Sequence, residues 1–109
     1  MSAPPVDTAV LTDLQDSMGA NFAAELVATF LQEAPGMIAD LRAAAAEGAA
    51  DDLRRAAHSI KSNAAIFGAE PLADIAREIE IEGLRDGALA RLEAEYARAA
   101  EALKDAADG

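Results

Sequence analysis

The sequence has no cysteine, no tryptophan, one tyrosine and a single histidine. Without cysteine no disulfide can form, so the chain suits a reducing compartment. Four prolines in 109 residues, few runs of β-branched residues and much alanine point to an all-helical protein. No apolar run approaches the roughly 20 residues that a bilayer-spanning helix needs. The start, Met1-Ser2-Ala3-Pro4-Pro5, lacks the charged and apolar regions of a secretory signal, and a soluble, cytoplasmic protein is expected. Basic residues are also scarce: nine against twenty acidic ones give a formal charge of −11, which repels nucleic acid and anionic lipid. One histidine and no cysteine cannot supply a clustered metal-ligand set. No Walker-type or Rossmann glycine pattern occurs, so the chain is not expected to phosphorylate itself from ATP. Ser59 and Ser62 lie near His58, but no nucleophile elbow or glycine-rich oxyanion loop accompanies them, and a serine hydrolase is unsupported.

What is present is helical periodicity, of a length that suits one complete domain spanning residues 1–109. Residues 1–6 should form a flexible lead-in, and Asp7 or Thr8 can cap a first helix reaching about Met18, with Val10, Leu11, Leu14 and Met18 apolar and Gly19 ending it. A long pattern then begins at Asn21 and stops at Gly48, with Phe22, Leu26, Phe30, Met37, Leu41 and Ala45 sharing a face. Pro35-Gly36 interrupts this run, yet the apolar phase continues from Phe30 to Leu41, which predicts one kinked helix. Asp51 or a neighbour can cap a third helix carrying Leu53 to Phe67, with Gly68 as its left-handed terminator. Glu70-Pro71 starts a fourth, with Leu72, Ile75, Ala76, Ile79 and Gly83 inward and Asp86-Gly87 closing it. A last helix over about Ala88 to Ala106 directs Leu89, Leu92, Tyr96, Ala99 and Leu103 inward, and Asp108-Gly109 should fray. Connections of about two to five residues between the four longer helices predict an up-down-up-down antiparallel four-helix bundle with a short extra N-terminal helix.

The third helix carries the histidine. At 100° per residue Leu53, Ala57, Ile60, Ala64 and Phe67 make one apolar stripe, and His58 projects about 140° from its centre, beside Arg54, Lys61, Ser62 and Ala65. A lone histidine is by frequency most often a side chain without a task. Here two cations flank it, which by like-charge repulsion favours the neutral, nucleophilic ring and would attract a doubly negative phosphoryl group bound to it. Ser62 and Ala65 leave the ring uncovered on its C-terminal side. An exposed nucleophile with cations and clearance suggests transfer to a macromolecular acceptor. Four of the nine cations, Arg54, Arg55, Lys61 and Arg77, lie in or just after this helix. They form either a local positive spot on an acidic body or incidental charges on a solvated face.

The run His58 to Gly68 resembles the histidine-containing phosphotransfer (HPt) domain of two-component phosphorelays, whose usual pattern is H-x-L-K-G, two small residues, and a glycine ten positions after the histidine. His58, Ile60, Lys61 and Gly68 fall in register, and Leu72 and Ile79 continue the apolar spacing. Ser62 stands where glycine is usual and Asn63-Ala64 where paired serines are common. The resemblance implies a phosphocarrier: His58 would take a phosphoryl group on its distal nitrogen, with Lys61 as charge partner and Arg54 as a weaker electrostatic aid. Its partners would be receiver domains of response regulators or hybrid histidine kinases. Those partners would bring Mg and the catalytic carboxylates, and this chain would bind no cofactor of its own and could act as a monomer. Ser62, Ala65 and Arg55 would mark the approach surface, flanked by Val10, Leu14, Met18 and Phe22, with Ile66 and Ile81 as further apolar candidates. The first helices' residues serve equally well as inter-helix core. The other function class is a helical adaptor that uses the same surface without being phosphorylated.

Overall fold

The computed structural model describes residues 4–85 and 87–108, which form five helices and, among the described residues, no strand: α1 (Thr8–Met18), α2 (Ala20–Glu47), α3 (Ala50–Ile66), α4 (Glu70–Glu82) and α5 (Ala88–Asp108). Helix α2 packs on α3, α3 on α4, α4 on α5 and α5 back on α2, while α1 lies against α2. Leu41, Leu72, Ile79, Leu92 and Leu103 are fully buried between them. Phe30 meets the ring of Phe67 at 5.2 Å and that of Tyr96 edge-on at 6.2 Å, distances at which aromatic pairs attract.

Helix α1 begins where expected, because the Asp7 carboxylate accepts from the Ala9 amide at 3.0 Å and so satisfies one of the orphan donors of the first turn. The lead-in, however, is tied down at its end. Val6 is only 5% exposed, and the Asp7 amide donates to the Gly68 carbonyl at 2.8 Å. Met1 to Ala3, the start of the expected lead-in, lie outside the described residues.

Helix α2 runs unbroken through Pro35, so the preserved apolar phase outweighed the proline. Proline has no amide hydrogen, which leaves the Leu31 carbonyl four residues earlier without its helical donor. The Tyr96 hydroxyl on α5 donates to that carbonyl at 3.5 Å, and burial pushes the phenol's pKa up, keeping the hydroxyl a donor. The inward face of α2 differs from the expected one. Its buried residues are Ala23, Val27, Phe30, Ala34, Ile38, Leu41 and Ala44, while Leu26, Met37 and Ala45 are half-buried and Phe22 is exposed. Small alanines at the seam let neighbouring helices approach closely, and the larger side chains are displaced to its flanks.

The apolar stripe of α3 is as expected: Leu53, Ala57, Ile60, Ala64 and Phe67 are all buried. Its N-cap is Ala49, and Asp51 and Asp52 sit in the first turn instead, where carboxylates favour the positive end of the helix dipole. At its other end the Ala69 amide donates to Ala64 at 3.0 Å and the Gly68 amide to Ala65 at 3.2 Å, the paired bonds of a Schellman turn. Gly68 has φ +72°, and a Cβ there would lie 2.9 Å from both the Asp7 carbonyl oxygen and Val10 Cβ. Only glycine suits both the backbone angle and the close approach of α1. Helix α4 starts with Pro71 in its first turn and stops at Gly83, earlier than expected. Of the expected stop Asp86-Gly87, Asp86 lies outside the described residues, as does Gly109 of the frayed end.

Candidate functional site

The stripe that seats α3 in the core fixes the direction of its opposite side. With Ala57 and Ile60 buried, the intervening His58 side chain turns outward and is 59% exposed. Arg54 and Arg55 precede it, one turn back along the helix, and Lys61 follows it. These positions agree with the helical spacing.

The electrostatics around the ring do not follow from α3 alone. Helix α4, packed alongside, brings in Glu80, whose side chain is 18% exposed. One carboxylate oxygen, Oε2, lies 2.7 Å from His58 Nδ1, and the other, Oε1, accepts from Lys61 Nζ at 2.6 Å. The expectation of an imidazole flanked only by cations is therefore corrected, since a carboxylate stands between ring and ammonium. Hydrogen bonds from Lys61 and then from His58 hold the Glu80 carboxyl below the ordinary glutamate range, against the opposing effect of desolvation. An ionised carboxylate can only accept, so Nδ1 is the ring nitrogen that carries hydrogen in this contact. In the neutral ring, Nε2 then holds the free lone pair.

The positive spot is likewise corrected. Arg54 pairs with Asp51 at 3.0 Å and Arg55 with Asp52 at 3.2 Å, each within the same helix. Lys61 is engaged by Glu80, and Arg77 lines a different groove on α4, together with Ile81 and Arg91. What surrounds His58 is an open depression of about 290 Å³ lined by Asp51, Arg54, Arg55 and Glu80, a balanced set of charges.

The other candidate residues separate into two groups. Ser62, Ala65 and Ile66 are exposed along the continuation of α3 beyond His58, with Ile66 51% exposed. Val10 and Leu14 are half-buried, Leu14 against the core. Met18 and Phe22 are exposed at the junction of α1 and α2. None of these four lines the His58 depression.

Glu80 is the residue that sequence reading did not single out. Its signal was the α4 register: Ala76 and Ile79 are buried, and Glu80, one turn after Ala76, sits at the border of that buried face. With the short turn from Ile66 to Glu70 folding α4 back on α3, that border faces α3.

The sequence matches the Hpt domain family over residues 25–108. The fold is similar to the crystal structure of histidine-containing phosphotransfer protein B (HptB) from Pseudomonas aeruginosa PAO1, with a TM-score of 0.88 and 31% identity, covering 98% of this chain and 97% of that one. No curated protein matches the sequence.

Proposed function

This chain belongs to the Hpt domain family, and on that footing we propose that it is a phosphorelay carrier that accepts a phosphoryl group on His58 from a receiver-domain aspartate and passes it to another. The single observation that carries the reading is an exposed imidazole held at Nδ1 by Glu80, with Nε2 left for in-line attack. Phosphoryl transfer asks the protein mainly for positioning and charge neutralisation. In this reading His58 Nε2 is the nucleophile, and Lys61 turns from Glu80 to the phosphoryl oxygens. Arg54 contributes a weaker attraction from one turn back. Mg and the catalytic carboxylates come from the receiver, which belongs to a response regulator or a hybrid histidine kinase.

The docking surface proposed for the receiver is the open face of α3, with Ser62, Ala65, Arg55 and Ile66, extended by Met18 and Phe22. Val10 and Leu14, half-buried on α1, flank that surface. The arrangement we propose for α2 to α5 is up-down-up-down and antiparallel with α1 as an added helix, supported by the closed ring of packing partners. No helix among the described residues is long and apolar enough to cross a membrane, and we place the carrier in the cytoplasm as a monomer.

Incubation with a phosphorylated receiver tests the carrier role. The chain should acquire an acid-labile, base-stable phosphate that is absent from His58→Gln. Lys61→Ala should slow transfer while leaving the helical content unchanged. Partner binding that survives His58→Ala, with no label in the parent chain, would instead identify an adaptor.

A further inference from the structure

The contact with α4 fixes which way the free nitrogen of the imidazole points. Nδ1 and Nε2 lie on opposite sides of the ring's long axis, so a Nδ1 held against Glu80 turns Nε2 away from α4. At about 100° per residue, Lys61 projects about 60° from His58 on the α4 side and Ser62 about 40° on the other; Glu80 engages the first of them. Side chains on a helix lean back over the preceding turn, which brings the Ser62 hydroxyl toward the ring on the side that Nε2 faces. We propose that this hydroxyl donates a hydrogen bond to an oxygen of the phosphoryl group on His58 Nε2, making Ser62 a binding residue for the carried phosphate, an inference that rests on the carrier reading above.

The donor is free to do so. Ser62 is exposed, and among the described residues its hydroxyl has no hydrogen-bond partner. Polar side chains inside helices often fold back onto the carbonyl four residues earlier, as Thr12 does to Thr8 at 3.0 Å and Asn63 to Ser59 at 2.8 Å. Ser62 makes no such bond to the His58 carbonyl. The charged donors near the ring are already engaged: Arg54 and Arg55 by Asp51 and Asp52, and Lys61 by Glu80 at 2.6 Å. Lys61 must leave that carboxylate to reach a phosphoryl oxygen, whereas Ser62 gives up only water. Glycine, usual at this position of the motif, offers no donor at all.

The hydroxyl keeps its proton throughout, and no covalent bond of Ser62 forms or breaks. Its acceptor is an oxygen of a doubly negative group, to which hydrogen bonds are the stronger kind. The bond exists only while His58 carries phosphate. It therefore stabilises the loaded chain against every state in which the phosphoryl group sits elsewhere.

The test uses the full chain and three variants: Ser62→Ala, which removes only the hydroxyl, Ser62→Gly, which also removes Cβ, and Ser62→Thr, which keeps the hydroxyl. Alanine at an exposed helical site favours the helix, so the fold survives the first change. Each protein is loaded with phosphoramidate, whose P–N bond breaks to release ammonia as the Nε2 lone pair forms the new N–P bond. At fixed phosphoramidate and ammonium, ³¹P NMR gives the loaded fraction, with His58→Gln as the unlabelled control. The loading constant should fall about three- to tenfold in Ser62→Ala and Ser62→Gly alike and stay within about twofold of the parent's in Ser62→Thr. The equilibrium constant for transfer to a receiver domain should rise by the same factor, whatever the variants do to docking rates. A parent-like loading constant in Ser62→Ala would overturn the proposal. So would a loss confined to Ser62→Gly, which would make bulk rather than the hydroxyl the active feature, or an equal loss in Ser62→Thr. A chain that phosphoramidate loads but no receiver does would defeat the carrier reading, while the loading constants would still decide the role of Ser62. A chain that neither donor loads would overturn both.

Discussion

The inward and outward sides of α3 are held by different kinds of neighbour. Inward, Leu53, Ala57, Ile60, Ala64 and Phe67 are sealed by shape against the adjoining helices. Outward, His58 and Lys61 are arranged by one carboxylate reaching across from α4, and the arginines by aspartates one turn away. Area removed from water stabilises the first side, at about 25 cal/mol per Å² of apolar surface. On the second side the arginine–aspartate pairs are exposed at both ends and contribute little to stability, because such pairs are screened and entropically costly. The fold can therefore tolerate changes in the charges that set the ring's reactivity.

Substitutions on the two sides should separate accordingly. The largest effect is expected from Ile60→Ala, which empties a site only 3% exposed and should cost about 2–5 kcal/mol in chemical denaturation. Next comes Gly68→Ala at the end of the same helix. A methyl there meets a backbone oxygen and Val10 Cβ at 2.9 Å with φ at +72°, and the loss should be about 1–3 kcal/mol, with α1 detaching first in hydrogen exchange. On the outward side, Glu80→Gln should act through pH. The Glu80 carboxyl is lowered in the folded chain from 4.5, so the stability it contributes is present above that unfolded value and is lost as pH falls through the folded one. Parent and variant denaturation midpoints should differ at neutral pH and converge on acidification. The smallest effect belongs to Arg54→Ala, whose pair with Asp51 is exposed at both ends, and whose unfolding free energy should move by less than about 0.5 kcal/mol. A cost above that of Gly68→Ala would break the contrast between the two sides.

The same contrast explains what was legible in the sequence. The α3 stripe, the exposure of His58 and the glycine stop were readable because each depends on residues three, four or seven apart in one helix. Glu80 was not, because its approach to His58 depends on how α4 is rotated against α3. The inward face of α2 was misjudged for a related reason: reading by side-chain size selects Phe22 and Met37, whereas close helix contact selects Ala23, Ala34 and Ala44. Helix α4 stops at Gly83, although Asp86-Gly87 is the stronger turn signal in the sequence. Both glycines have positive φ, so the turn chemistry was right and its position was not.

Pro35 and Tyr96 belong together although they sit on different helices. The proline strips the Leu31 carbonyl of its donor, and the tyrosine hydroxyl lends it another. Restoring an ordinary amide with Pro35→Ala would make that hydroxyl redundant, while Tyr96→Phe alone would strand a carbonyl. The two positions should therefore vary as a coupled pair, with the double substitution better tolerated than the sum of its parts.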